Sequence, residues 1–185
     1  MRKLIQFAAV AAIALSALTA TAAEEKKCPV SGKPVNPKCK LNYEGKTYTF
    51  CCGDCRTEFD KKTKASLYHR LGGRAAMNAA ISLFYKKVLA DKKVNHFFED
   101  VNMKRQANKQ KAFLSAAFGS PVPWTGKDMR KAHKHLDLKE SDFGAIAGHL
   151  QATLQELKIK PDLIKEVMTI AASTHDAVLN KPAKK

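Results

Sequence analysis

Two groups of side chains in this sequence could do chemistry, and they lie in different parts of the chain. Five cysteines, Cys28, Cys39, Cys51, Cys52 and Cys55, fall within 28 residues, and none follows. Thiolates ligate soft or borderline ions such as zinc and copper, or pair as disulfides in an oxidising compartment. An odd number leaves at least one unpaired or bound to something else. Cys28, Cys51 and Cys55 are separated by 22 and then 3 residues, and Cys52 could replace Cys51 to make a Cys-x2-Cys pair with Cys55. The second group centres on "KDMRKAHKHLDL", Lys127 to Leu138. Met129, Ala132, His133 and Leu136 repeat at i, i+3, i+4, i+7, which sets His133 in the middle of an apolar helix face. His135 lies about 200° further round the helix, on the basic side with Lys131. The two histidines therefore cannot share one metal ion.

Helices must position His133. On the stretch after Gly72-Gly73, the residues Met77, Ile81, Phe84, Tyr85 and Val88 share one face, so Tyr85 points inward and its hydroxyl needs a partner. A helix expected from Lys104 to Phe118 turns Gln106, Gln110, Phe113, Leu114 and Ala117 inward. Glutamines on successive inward turns mean either a wet helix end or a buried polar ligand. "GSPVPWTG" interrupts the helical pattern before the His133 stretch. Two amphipathic helices close the chain, Ser141 to Leu157 with Ser141 as N-cap, and Asp162 to Leu179 after Pro161. A lone inward histidine is ordinarily a core residue. Here an inward tyrosine, two glutamines and the Phe97-Phe98 pair accompany it in an all-helical stretch. Together they describe a pocket with one strong ligand on one side and hydrogen-bond donors on the other. That suits a flat iron cofactor that binds a small polar gas.

The cysteine stretch reads differently. "LNYEGKTYTF" is a hairpin around Glu44-Gly45, followed by "CCGDC" and a short helix through Phe59. "DKKTKA" reads as a linker. About 35 residues cannot bury enough apolar surface to fold unaided, so this unit needs disulfides or a metal. Ahead of it, a charged start, an apolar run from Leu4 to Leu18 and small residues up to Ala23 read as a secretory signal peptide. The expected organisation is a signal peptide at 1–23, a cysteine unit at 24–62 and a helical domain at 64–181. The mature protein is expected to be exported and periplasmic, without stable membrane insertion. The formal net charge is +16, or +14 without Arg2 and Lys3. The lysines are scattered and the chain is expected to leave the cytoplasm, so the reading is a solvated cationic surface rather than a nucleic-acid binder. Such a surface also suits a cofactor with carboxylates.

Residues Ser66 to Asn180 resemble a group I truncated haemoglobin along their whole length. "SLYHRLGG", "FYKKVLAD", "FFEDVNM", "KQKAFLSAAFG", "WTGKDMRKAHKHL", "FGAIAGHLQATLQEL" and "LIKEVMTIAASTHDAVLN" match family blocks in family order. The resemblance implies a mainly α fold, a shortened globin with two helices packed over two around haem b. It implies His133 as axial iron ligand, Tyr85, Gln106 and Gln110 as distal hydrogen-bonding residues, and Phe98 against the haem face. Trp124 falls in the loop before the ligand helix. The chain has no C-x-x-C-H, so c-type attachment is not expected. Some relatives place an iron-ligating histidine where Lys109 stands, which argues against a closed bis-histidine state. Those relatives also carry a late histidine that can bond haem covalently. His175 lies near that place, and its plainer reading is a surface histidine; His69, His96 and His149 read as structural or exposed. The implied partners are a diatomic gas (O2, NO or CO) and, if the protein performs nitric oxide dioxygenation, an external electron donor. A copper or zinc carrier led by the cysteine unit is the alternative. "CPVSGKPV" and "YEGKTYTFCC", with Cys28, Cys51 and Cys55, resemble the YHS/TRASH metal-binding modules, which implies thiolate ligation of zinc or copper by those three.

Overall fold

The computed structural model describes residues 26–182. The expected signal peptide lies outside them. The chain opens with a turn in which the Gly32 N–H donates to the Cys28 carbonyl and the Cys28 N–H to that of Lys33. An antiparallel hairpin follows, β1 (Lys40–Tyr43) and β2 (Lys46–Thr49), with Leu41 opposite Tyr48 and Tyr43 opposite Lys46. Its two-residue turn has positive φ at both Glu44 (50°) and Gly45 (79°), the geometry that matches the right-handed twist of paired strands. Cys28, Tyr48, Phe50 and Phe59 form a small buried core, with the Phe59 ring 4.7 Å from Tyr48 and 5.1 Å from Phe50.

Helix α1 runs Gly53–Ala65. The "DKKTKA" segment expected to be a linker is therefore its C-terminal half. Lysine and alanine are good helix formers, Asp60 pairs with Lys64 one turn on at 2.7 Å, and Thr63 is buried. Ser66 alone is extended (φ −64°, ψ 149°) before the short α2 (Leu67–Arg70), and its hydroxyl accepts the N–H of His69.

α3 (Gly73–Ala90) buries Met77, Ile81, Phe84, Tyr85 and Val88, the face its periodicity marks. A 3-10 turn at Asn95–Phe98 leads to α4 (Met103–Ala117), capped by the Asn102 side chain. α4 differs from expectation. Gln106, Gln110, Phe113 and Leu114 are only half-buried and Ala117 is exposed, while Met103, Ala107 and Leu114 pack on the core and the C-cap Phe118 is buried. α5 is short, Met129–His133, capped by Asp128, whose carboxylate accepts the Lys131 N–H. The expected four-residue apolar face does not extend along it. Ala132 and Leu136 are exposed, because the chain leaves the helix after His133 and turns left-handed at Asp137 (φ 45°).

α6 spans Glu140–Glu156 and starts before the expected cap. Lys139 is the N-cap, and its N–H donates to the Asp142 carboxylate. The last expected helix is two: α7 (Pro161–Ser173), with Pro161 in its first turn, and α8 (His175–Val178). α3 packs against both α4 and α6, α6 against α7, and α5 against α8. Among the described residues no helix is long and apolar enough to cross a membrane.

Candidate functional site

Tyr85 reaches the helical core from α3, and Gln106 meets it from α4. The Gln106 amide donates to the Tyr85 hydroxyl at 3.1 Å, and the Phe98 ring stands edge-on to Tyr85 at 5.8 Å. Burial raises the Tyr85 pKa above its ordinary value, with the Gln106 bond opposing, so the hydroxyl keeps its proton. That proton is not used in the Gln106 bond, in which Tyr85 is the acceptor. Gln110 lies one turn along α4 from Gln106 and is half-buried.

His133 is half-buried at the end of α5, and its Nδ1 lies 2.8 Å from the Met129 carbonyl oxygen. A carbonyl only accepts, so Nδ1 carries the proton and Nε2 keeps its lone pair, as a metal-ligating imidazole requires. The partner is a main-chain atom, and side-chain spacing gave no sign of it. His135 is exposed. No side-chain hydrogen bond joins His133 to the Tyr85 group among the described residues. The structure gathers Tyr85, Gln106 and Phe98, and presents His133 from a separate helix.

These residues fit haem b. One imidazole has its tautomer set for ligation, Gln106 donates to Tyr85 and leaves the tyrosine proton unused in that bond, and Phe98, Leu114, Ile146 and Leu150 offer half-buried apolar surface. Trp124 holds the loop before α5, donating from its indole to the Lys127 carbonyl at 3.0 Å with its ring against Phe113. A Cβ on Gly126 would come within 2.0 Å of that ring. Lys109 is exposed and borders a surface groove with Arg105 and Trp124.

His175 lies at the surface but is not free there. It is half-buried, with Nε2 2.7 Å from Glu140 and Nδ1 2.8 Å from Asp176, clamping the start of α6 to α8. The Glu140 and Asp176 carboxylates raise its pKa above 6.5, while Lys181 and then His175 lower that of Glu140. A raised imidazole pKa contributes stability below the ordinary value and loses it as pH rises through the shifted one. The melting temperature should therefore fall as pH rises from about 6 through neutrality. His175→Gln should flatten that slope, and an unchanged slope would remove the clamp from the account. His149 is similarly structural, its Nε2 2.8 Å from the Asp91 carboxylate across α6 and α3. His69 and His96 are exposed.

The thiols of Cys28, Cys51 and Cys55 come together, each ligand atom within 4.8 Å of the others. The Cys51 and Cys55 sulfurs are 3.6 Å apart. Thiolates sharing zinc at about 2.3 Å lie roughly 3.8 Å from each other in tetrahedral geometry, so this spacing suits an ion. Burial pushes the Cys28 thiol up, but hydrogen bonds from Ser31 and from the Cys51 and Val30 main chain outweigh it and bring it down to about 6. Hydrogen bonding to Cys51 and Cys52 pushes Cys55 up to about 12. Cys52, on the exposed side, lies 3.7 Å from Cys51, and its carbonyl accepts the Cys39 thiol.

The hairpin turn joins the two parts of the chain. The Glu44 carboxylate accepts the Tyr68 hydroxyl and the Arg74 N–H, both at 2.7 Å, and the Glu44 carbonyl accepts from the Arg74 guanidinium at 2.6 Å. It thereby satisfies an N–H in the first turn of α3, where a negative charge also meets the positive end of the helix dipole.

The bacterial-like globin profile matches residues 66–180. A group 1 truncated hemoglobin of Chlamydomonas moewusii is 48% identical over 124 residues, covering 66% of this chain and 72% of its own. One from Tetrahymena thermophila is 42% identical, covering 65% and 99%. The crystal structure of the Synechococcus 2/2 hemoglobin, in the cyanomet state with covalently attached heme, aligns with TM-score 0.62 at 46% identity, covering 63% of this chain and all of that one. The truncated hemoglobin of Tetrahymena pyriformis aligns with TM-score 0.60 at 42% identity, covering 62% and 97%. The fold is that of a 2/2 globin, mainly helical, with a two-stranded hairpin and its nearby cysteines ahead of it. This is a class of protein that binds haem and, through it, a diatomic gas. The chain belongs to the bacterial-like globin family, as a group 1 truncated haemoglobin.

Proposed function

We propose that this is an exported haem protein that binds oxygen or nitric oxide, with His133 as axial ligand and Tyr85, Gln106 and Gln110 as the distal hydrogen-bonding group. One observation carries this reading. Gln106 donates to Tyr85 and leaves the Tyr85 proton for a second acceptor, while the His133 Nδ1 bond leaves Nε2 free to ligate. Haem b, when bound, supplies a ferrous iron that takes the gas. Tyr85 would offer its hydroxyl proton toward the gas, Gln106 orients Tyr85, and Phe98 would exclude water from the same side. The Tetrahymena pyriformis structures lend support. They include variants with a tyrosine changed to phenylalanine and with either of two glutamines changed to glutamate, at positions 21 and 4 residues apart, the spacing of Tyr85, Gln106 and Gln110 here.

The Tyr85 hydrogen bond should stabilise bound oxygen by about 1–2 kcal/mol. Tyr85→Phe should therefore release oxygen about 5- to 30-fold faster in stopped-flow experiments on the ferrous protein, with carbon monoxide release changed much less. Equal effects on both gases would remove Tyr85 from the donor role. With an external electron donor the same pocket would support nitric oxide dioxygenation.

The reading extends to the rest of the chain. Residues 1–23 act as a signal peptide for export to the periplasm, 24–62 form a YHS/TRASH-like unit, and 64–181 form the globin domain. Cys28, Cys51 and Cys55 hold one zinc or copper ion. The clustered sulfurs and the lowered pKa of the Cys28 thiol support that site. Equilibrium dialysis of the reduced full chain against zinc should give one ion per chain, lost in Cys28→Ser.

A further inference from the structure

The cysteine unit holds a second arrangement that ligation by those three thiols does not use. Cys52-Gly53-Asp54-Cys55 spans the start of α1, with Cys52 as N-cap and Cys55 in the first turn. An N-cap side chain lies over the second and third helical residues, so the Cys52 and Cys55 side chains share that end of the helix. The Cys52 sulfur makes no capping hydrogen bond of full geometry and lies over the main chain of Asp54 and Cys55, 3.7 Å from the Cys51 sulfur. Helical spacing sets Cα atoms three residues apart at about 5 Å, inside the roughly 4.4–6.8 Å that a disulfide spans. Adjacent Cys51 and Cys52 are unsuited to each other, since consecutive Cα atoms lie only about 3.8 Å apart. Access separates the remaining candidates. Cys28 is buried, Cys39, Cys51 and Cys55 are half-buried, and Cys52 is exposed. Cys51 is further held by the Ser31 hydroxyl at 3.2 Å.

We propose that Cys52 and Cys55 form a reversible dithiol–disulfide couple that exchanges with external disulfides, glutathione disulfide being the simplest. The Cys52 thiolate attacks one sulfur of the external disulfide. A mixed disulfide forms on Cys52, and the first thiol leaves, taking up a proton. The Cys55 thiol then gives up its proton as its sulfur attacks that of Cys52, forming the Cys52–Cys55 bond and displacing the second thiol. The chain loses two electrons and two protons, and one external disulfide becomes two thiols. The reverse steps restore the dithiol. The couple needs only these two residues and operates when the three-thiol cluster holds no ion. Because Cys55 belongs to both, the disulfide and metal ligation by Cys55 exclude each other.

The test uses the full-length protein, stripped of metal by a chelator and equilibrated with mixtures of reduced and oxidised glutathione. Samples are quenched in acid, alkylated and counted for free thiols by mass. The wild type should lose two thiols together and retain no glutathione. Cys51→Ser should behave the same way. Cys52→Ser should form no such disulfide, or form it at least about tenfold more slowly. Cys55→Ser should accumulate one glutathione adduct, mapped to Cys52, which keeps the proposal testable if Cys52→Ser does not fold. A disulfide that survives Cys52→Ser at the wild-type rate overturns the proposal. So does its loss in Cys51→Ser, or an adduct mapped to Cys28, Cys39 or Cys51 in Cys55→Ser.

Discussion

Replacing His133 by alanine is expected to abolish the histidine-ligated spectrum of the haem-reconstituted ferrous protein, together with its sharp shift on adding carbon monoxide. Met129 is the first residue of α5 and His133 the last, and the Met129 carbonyl lies 2.8 Å from Nδ1. That carbonyl fixes the ring's tautomer and direction, as outer partners of metal-ligating histidines do. Removing such an outer partner costs about 10–100-fold in affinity, so removing the ligand itself should cost more. Added imidazole should restore part of the wild-type spectrum, because the cavity left by the side chain admits the ring. His135→Ala is the control, since His135 is exposed, and should leave the spectrum unchanged. If His135→Ala removed the spectrum and His133→Ala kept it, the assignment of the two histidines would be reversed.

The second large effect is expected at the junction of hairpin and globin. Gly73 sits at φ +62°, and a Cβ there would come within 2.2 Å of the Glu44 carboxylate oxygen. Gly73→Ala therefore incurs two costs. The left-handed conformation costs about 1–2 kcal/mol for a residue with a Cβ. The Glu44 side chain, which is flexible, then shifts the oxygen that accepts the Arg74 N–H and gives up that bond, and one charged hydrogen bond contributes about 1.5–3 kcal/mol. A total near 3–4 kcal/mol is a large share of the roughly 5–15 kcal/mol that holds a domain folded. It should lower the melting temperature by about 10 °C. In a Glu44→Ala background the same substitution should cost only the backbone part, about 1–2 kcal/mol. Equal costs in the two backgrounds would mean that the Glu44 contacts contribute nothing to stability.

Much of the globin was legible because its long helices carry regular patterns. α3 repeats its apolar residues over three turns, and all five residues of that pattern are buried. The hairpin was legible from Glu44-Gly45, where a positive-φ turn is written into the residue types. His133 and His135 do differ in exposure, but α5 ends at His133, so the helical angle that separates them in the sequence pattern does not set the position of His135. The misreadings share a cause. Five residues of helix at α5 show no complete period, so the pattern borrowed Leu136 from beyond its end. "DKKTKA" is polar and reads as a linker, but one buried threonine and one ion pair suffice to continue α1 through it. The Met129 carbonyl, the Glu44 contacts and the clamp at His175 depend on main-chain atoms or on partners distant in sequence. No local spacing encodes them.

Helix α1 has a mechanical consequence. Its 13 residues make a rod about 20 Å long, with the thiols at one end and the globin at the other. A single extended residue, Ser66, separates it from α2. A lone pivot would let the cysteine unit swing freely. The Glu44 turn gives a second point of attachment on α3, and a body held at a strut and at a brace cannot rotate about either one alone. The thiols and the gas-binding helices are thus held as parts of one rigid frame, at a separation fixed by the length of a helix rather than by the reach of a tether.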